Sequence, residues 1–355
     1  MAENNCVWLI LLILVVAVPG VYFFVKYHDK LHKPNSITSN INFNATVSLD
    51  GDGDFTTISE AILSAPSYAL SRFHIRVCSG VYNEVVTVPQ SKTNIVLIGD
   101  GAEVTKITAN RQISEFSTSE TATFTVLGDG FMAQDIAFEN NAGSESGQAV
   151  ALLCSANHAI FYRCKVIGYH DTLYAKEGSQ FYRECDIYGT VDFIFGFATA
   201  VFQKCNLYGR VSEYQIVTYT AQGRQSLDQN SGFTLQGCNF TSAPEDGLRT
   251  NISGFLGRPW FPYSTVMVME SFLDRLISPS GWEEWPNTTD SNAIYLEYRN
   301  LGPGADTSRR VKWSGFKVVE DASEALPYTA SQLIQGNEWI PATKVPYDSE
   351  YLSSN

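Results

Sequence analysis

Histidine is scarce in this chain: five occur in 355 residues, at positions 28, 32, 74, 158 and 170, and they cannot assemble an H-E-x-x-H zinc motif. A G-x-S-x-G nucleophile elbow is absent, which argues against an α/β-hydrolase serine esterase. The phosphate-cradling loop G-x-x-x-x-G-K-S/T is absent as well. Basic residues are outnumbered, 24 Lys and Arg against 37 Asp and Glu for a formal net charge of −13, and no basic cluster interleaved with aromatics occurs. A nucleic-acid backbone would repel such a chain, so nucleic acid is excluded as a partner. Almost no segment sustains a 3.6-residue apolar period, which leaves an all-β architecture. With no metal or cofactor motif in view, carboxylates are the remaining candidates for chemistry.

What is present, over residues 72–298, is a succession of short runs rich in Val, Ile, Thr, Phe and Tyr between Gly, Asn and Asp turns; strands are predicted at 73–78, 94–98, 123–127 and 159–162. Within this stretch Phe161-Tyr162-Arg163-Cys164 recurs as Phe181-Tyr182-Arg183-Glu184-Cys185 and as Val201-Phe202-Gln203-Lys204-Cys205, with Gly168, Gly189 and Gly209 closing the units. The period of 20 to 21 residues suits one coil of a β-solenoid. Asp171 and Asp192 stand 21 residues apart at one phase of it. Stacked coils should therefore project both from neighbouring rungs onto one face, about 5 to 10 Å apart.

The ends carry other signals. Residues 7–25 hold no charged side chain over 19 positions, and Lys26, Lys30 and Lys33 follow, so 1–33 reads as a signal peptide or a signal anchor that would hold the chain at a membrane. Residues 34–47 are polar and read as a linker, 48–345 as the β-helix and 346–355 as a C-terminal tail. Asp50-Gly51-Asp52-Gly53-Asp54 is not an EF-hand, because Phe55 and Ala61 stand where Gly and Glu are needed. Residues 57–65 predict a short helix capping the solenoid, and 323–352 predict short C-terminal helices. Sequons at Asn44, Asn239, Asn251 and Asn287 point to a secreted glycoprotein. Cys164, Cys185 and Cys205 share a phase, so a Cys185–Cys205 disulfide is expected, against the alternative of a ladder of buried thiols.

Five ordered segments carry a family resemblance: Gly80-Val81-Tyr82-Asn83-Glu84, Gln148-Ala149-Val150-Ala151-Leu152, Tyr169 to Tyr174, Gly189 to Gly196, and Leu256-Gly257-Arg258-Pro259-Trp260. Together they resemble a plant-type pectin methylesterase over about residues 48–345. The resemblance implies a right-handed parallel β-helix that hydrolyses methyl esters of homogalacturonan to carboxylate and methanol, with neither metal nor cofactor. It makes Asp192 the nucleophile, Arg258 its bidentate partner, and Asp171 the general acid that becomes the base for water. Gln148 matches the glutamine whose amide faces the oxyanion. Trp260 resembles a sugar-stacking residue, with Phe195 and Tyr169 weaker candidates, and Thr118 matches a substrate-contacting position.

The departures from the family pattern are specific. His170 stands where a second oxyanion glutamine is usual, Phe197 follows Gly196 in place of asparagine, and Leu153 stands where arginine is common. His170 brings an alternative reading, a catalytically weakened pectin-binding wall protein. The roughly 47 residues ahead of the catalytic domain leave no room for an inhibitor-like pro-domain, whereas a separate inhibitor protein is a plausible partner. A monomer, secreted to the cell wall and held weakly there because polygalacturonate repels its negative charge, is the expectation.

Overall fold

Strands of three to five residues, each followed by a sharp corner, can bury their apolar side chains only by stacking on copies of themselves. The computed structural model describes residues 41–246, 252–285 and 292–352, and in it every strand pair is parallel. Eleven strands form one sheet, eight a second and seven a third. One coil runs Leu173–Glu177, Ser179–Arg183, Asp186–Gly189, and the next repeats it as Ile194–Gly196, Thr199–Gln203, Asn206–Gly209. This is a parallel β-helix, and its coil is the repeat read from the sequence. The register pairs Phe161 with Tyr182, one residue off the literal match of the repeated letters, and Tyr182 with Phe202, as the letters align. Inside the coil these three rings stack at 5.0 and 4.5 Å with 9° between planes.

A left-handed residue turns one corner of successive coils: Asp135, Arg163, Glu184, Lys204 and Glu270 all have φ between 51° and 56°. Each keeps the ladder intact by donating its N–H to the following coil, as Arg163 does to Arg183 and Glu184 to Gln203. The residue after it points inward, which places Cys164, Cys185 and Cys205 in one buried column. The expected Cys185–Cys205 disulfide is not formed; both are free thiols. Each Sγ instead turns to a carbonyl of the preceding coil, Cys185 to Phe161 at 3.2 Å and Cys205 to Tyr182 at 3.6 Å. The ladder reading of these cysteines is the one the structure supports.

The ends differ from the sequence reading in two places. Ala45–Val47, placed in the linker, is the first strand of the eleven-stranded sheet and pairs with Phe73–Val77. The Asp-Gly-Asp-Gly-Asp loop covers its open edge, with Asp54 accepting the Thr46 N–H at 2.8 Å and Phe55 bridging Val47. Residues 346–352 are a strap on the same sheet, where Asp348 meets Arg183 at 2.6 Å and Gln236 donates to the Glu350 carbonyl. The capping helix is Ile58–Ser64, its first N–H groups held by Glu84 at 2.9 and 3.2 Å. Short C-terminal helices form at Ala322–Ala325, Ala330–Leu333 and Gly336–Trp339. The leader at 7–25 and the first residues of the Asn251 and Asn287 sequons lie outside the described residues, within which no helix is long and apolar enough to cross a membrane.

Candidate active site

The seven-stranded sheet carries the site on its outer face. Corresponding positions of adjacent strands place Leu153, Tyr174, Phe195, Ala221 and Arg258 in one lateral row, an apolar floor that ends in a cation. Asp171 and Asp192 immediately precede two of these strands. Both adopt the left-handed conformation, at φ 60° and 52°, which tips each carboxylate out of the coil and into a cleft of about 530 Å³. Asparagine and aspartate tolerate this conformation better than other residues with a side chain. The cleft is lined by Thr118, Gln148, His170, Asp171, Asp192, Phe195, Arg258 and Trp260, all anticipated from sequence, and by Ser117, Ser119, Tyr174, Ala221 and Trp285.

Asp192 is 5% exposed and is gripped by Arg258 through two parallel bonds, Nε to Oδ1 at 2.8 Å and Nη2 to Oδ2 at 2.7 Å. The guanidinium is fixed in turn by the Trp285 ring, 4.2 Å away, and by Glu283 at 3.7 Å. Burial raises the Asp192 carboxyl above its ordinary value and outweighs the opposing pull of Arg258. Asp171 goes further: burial first, then the charge of Asp192, push it well above the carboxylate range. Its carboxyl has no hydrogen bond among the described residues, so nothing but Arg258 favours its anion. The pair is thus polarised, with the proton on Asp171 and the charge on Asp192.

Gln148 and His170 sit side by side through a parallel bridge, and Ala149 donates to the His170 carbonyl at 3.1 Å. The Gln148 amide makes no side-chain bond among the described residues and is available to the cleft. Burial and the charge of Arg258 lower the His170 imidazole to about 4, so it is neutral at physiological pH. Its Nε2 lies 3.5 Å from Asp171 Oδ1, beyond the range of a normal hydrogen bond. His170, Asp171 and Asp192 each offer a ligand atom within 4.8 Å of the others, the arrangement among the described residues that could hold a metal ion.

One sequence expectation needs revision here. Tyr169 does not reach the cleft; its ring lies under Arg210, 3.9 Å from the guanidinium. Phe197 and Leu153, which carried no assignment, pack into the floor, where Phe197 stands 4.9 Å from the Trp260 ring. Tyr174 was legible in the repeat, since it occupies the register position of Phe195 one coil earlier and stacks on it at 4.2 Å. Trp285 follows the last repeat and had no such signal.

A family model described as Pectinesterase matches residues 44–337. The chain belongs to the pectinesterase family. Among curated relatives of this pectinesterase-family chain, Pectinesterase/pectinesterase inhibitor PPE8B of Prunus persica is 44% identical over 316 residues, 88% of this chain and 60% of that protein. Pectinesterase 2 of Citrus sinensis is 43% identical over 309 residues, 86% of this chain and 60% of that one. The chain therefore spans about 60% of the length of these relatives. Among solved structures, pectin methylesterase from carrot superposes with a TM-score of 0.85 at 40% identity, covering 87% of this chain and 98% of that one. The enzyme PemA from Erwinia chrysanthemi gives 0.70 at 28%, over 83% and 97%.

Proposed function

We propose that this chain is a pectin methylesterase, which removes methyl esters from homogalacturonan to give pectate and methanol. The observation that carries the reading is the polarised pair at the cleft floor: one buried carboxylate clamped by a guanidinium beside one that keeps its proton. Asp192 attacks the ester carbonyl, and the C–O bond it forms makes a tetrahedral oxyanion that the Gln148 amide can meet. Asp171 delivers its proton to the departing methoxide, leaving an acyl-Asp192 anhydride and a free Asp171 carboxylate. That carboxylate then takes a proton from water as the hydroxyl attacks the acyl carbon, which releases the substrate's carboxylic acid and regenerates both aspartates. Trp260 and Phe195 offer apolar faces to the C–H face of a sugar ring.

On this reading the protein acts outside the cell on wall pectin, and a proteinaceous pectinesterase inhibitor is a candidate partner at the same cleft. The test is methanol release from highly methylated pectin. Loss of release in Asp192→Asn, with the melting temperature retained, supports an aspartate nucleophile; an unchanged rate sinks it. His170 favours a second reading, a pectin-binding protein weakened at its oxyanion site, because its Nε2 stands towards Asp171 where the family has an amide. That reading holds if wild type binds esterified pectin without turnover and His170→Gln restores methanol release.

A further inference from the structure

Replacing a glutamine by histidine at position 170 changes what the cleft floor can bind, as well as what it can donate. A glutamine amide is a poor metal ligand, whereas a neutral imidazole is the commonest protein ligand of zinc. Here the imidazole stands beside two carboxylates. His170 Nε2 and Asp171 Oδ1 are 3.5 Å apart. Two ligands at about 2.1 Å from one tetrahedral zinc lie about 3.4 Å from each other, so this pair is spaced for a shared ion without moving. The Asp192 carboxylate completes a set whose ligand atoms all lie within 4.8 Å of one another, so a tetrahedral ion requires the set to close by up to about 1.4 Å at its widest.

A second observation points the same way. Asp171 is 8% exposed, faces the cleft, and has no hydrogen-bond partner among the described residues beyond its long contact with His170. A carboxylate so buried and so poorly solvated gains from a cation that can enter through the cleft. We infer that His170, Asp171 and Asp192 form a site for a borderline divalent transition-metal ion, for which Zn²⁺ and Co²⁺ are the probes, and that filling it stops the esterase.

The charges around the site decide how strongly it binds. Arg258 opposes the ion, but its two bonds take one lone pair from each Asp192 oxygen and leave each a second. Glu283, 3.7 Å from Arg258, offsets part of that positive charge. Hard, oxygen-preferring Ca²⁺ and Mg²⁺ gain nothing from the imidazole and should bind weakly. The inhibitory part rests on the esterase reading above: with a metal on both aspartates, Asp192 loses its lone pair and Asp171 its proton.

The experiment is a titration of the metal-free full chain with Co²⁺, read by its visible absorption, and with Zn²⁺ by calorimetry, in wild type and His170→Gln. The expected result is one site per chain with an intense low-coordinate Co²⁺ spectrum, weakened at least about tenfold in His170→Gln. In parallel, Zn²⁺ should suppress methanol release from wild type but not from any active His170→Gln protein, and chelation should restore it. Equal affinities in the two proteins, or no site on wild type, would overturn the inference. The absorption and calorimetric readouts do not require turnover, so a chain that binds Co²⁺ through His170 yet releases no methanol would refute the esterase and leave the metal site standing.

Discussion

Removing Arg258 tests the charge arrangement at its keystone. Arg258→Ala deletes two charge-assisted hydrogen bonds to a carboxylate that is 5% exposed. At about 1.5–3 kcal/mol each, the ionised form of Asp192 loses about 3–6 kcal/mol of support. If attack requires that form, and each 1.36 kcal/mol is tenfold, kcat/KM for methanol release near pH 7 falls by about 10² to 10⁴. Stability should fall less. Breaking a buried pair typically costs about 3–5 kcal/mol when the remaining charge is trapped, but burial already favours protonated Asp192, so the variant escapes by taking up a proton. The signature is therefore a large loss of rate with a modest loss of melting temperature, and a rate that climbs as pH rises and Asp192 reionises. Arg258→Lys keeps the charge without the planar fork and should fall between the two. An Arg258→Ala protein within tenfold of wild type at pH 7 would refute the assignment of the guanidinium.

Three further outcomes follow from other parts of the molecule. Burial alone would raise the Asp348 carboxyl, but Arg183 and Lys204 overcome it and hold the group below its ordinary value. A depressed folded pKa stabilises above the unfolded value near 4 and is lost as pH falls through the folded one. Asp348→Asn should then melt about 2 °C below wild type at pH 6, with the difference vanishing towards pH 3 in calorimetric scans. Tyr182→Phe keeps the ring stack but strands the buried Gln180 carbonyl oxygen that its hydroxyl donates to at 2.7 Å, and should cost about 1–3 kcal/mol in urea unfolding. Phe197→Asn removes the ring behind Trp260 and should raise KM for pectin by up to about tenfold with kcat little changed, since only substrate positioning is touched.

The coil was legible because a parallel β-helix writes its geometry into the sequence. One turn is one repeat, so Asp171 and Asp192, 21 residues apart, had to emerge side by side. Thr118, Gln148, Arg258 and Trp260 came from the resemblance to pectin methylesterase motifs and not from the repeat, whereas Tyr174 was within the repeat's reach. Where sequence reasoning went wrong, direction was the missing information. Tyr169 shares a motif with Asp171, but its ring packs against Arg210 and does not line the cleft. Cys185 and Cys205 share a phase, but parallel side chains in a ladder each reach the carbonyl below as readily as one another. Ala45–Val47 looked like linker because a three-residue edge strand carries too little pattern to stand out from polar neighbours.

The left-handed backbone of the two aspartates makes a last distinction possible. Asp171 has φ 60° and donates its N–H to the Val191 carbonyl at 3.1 Å, so its conformation is fixed by the following coil as well as by its own preference. An ordinary side chain pays about 1–2 kcal/mol in this region, whereas asparagine shares aspartate's tolerance. The Asp171 carboxyl has no hydrogen bond to lose, and removing a buried ionisable group relieves its desolvation. Asp171→Asn should therefore be at least as stable as wild type, and Asp171→Ala less stable than Asp171→Asn by about 1–2 kcal/mol in urea unfolding. Both should release methanol equally slowly, because neither can lend a proton. Equal stability of the two variants would show that the corner, and not the residue, sets this conformation. Unequal activity would show that position 171 contributes to the rate through something other than its proton.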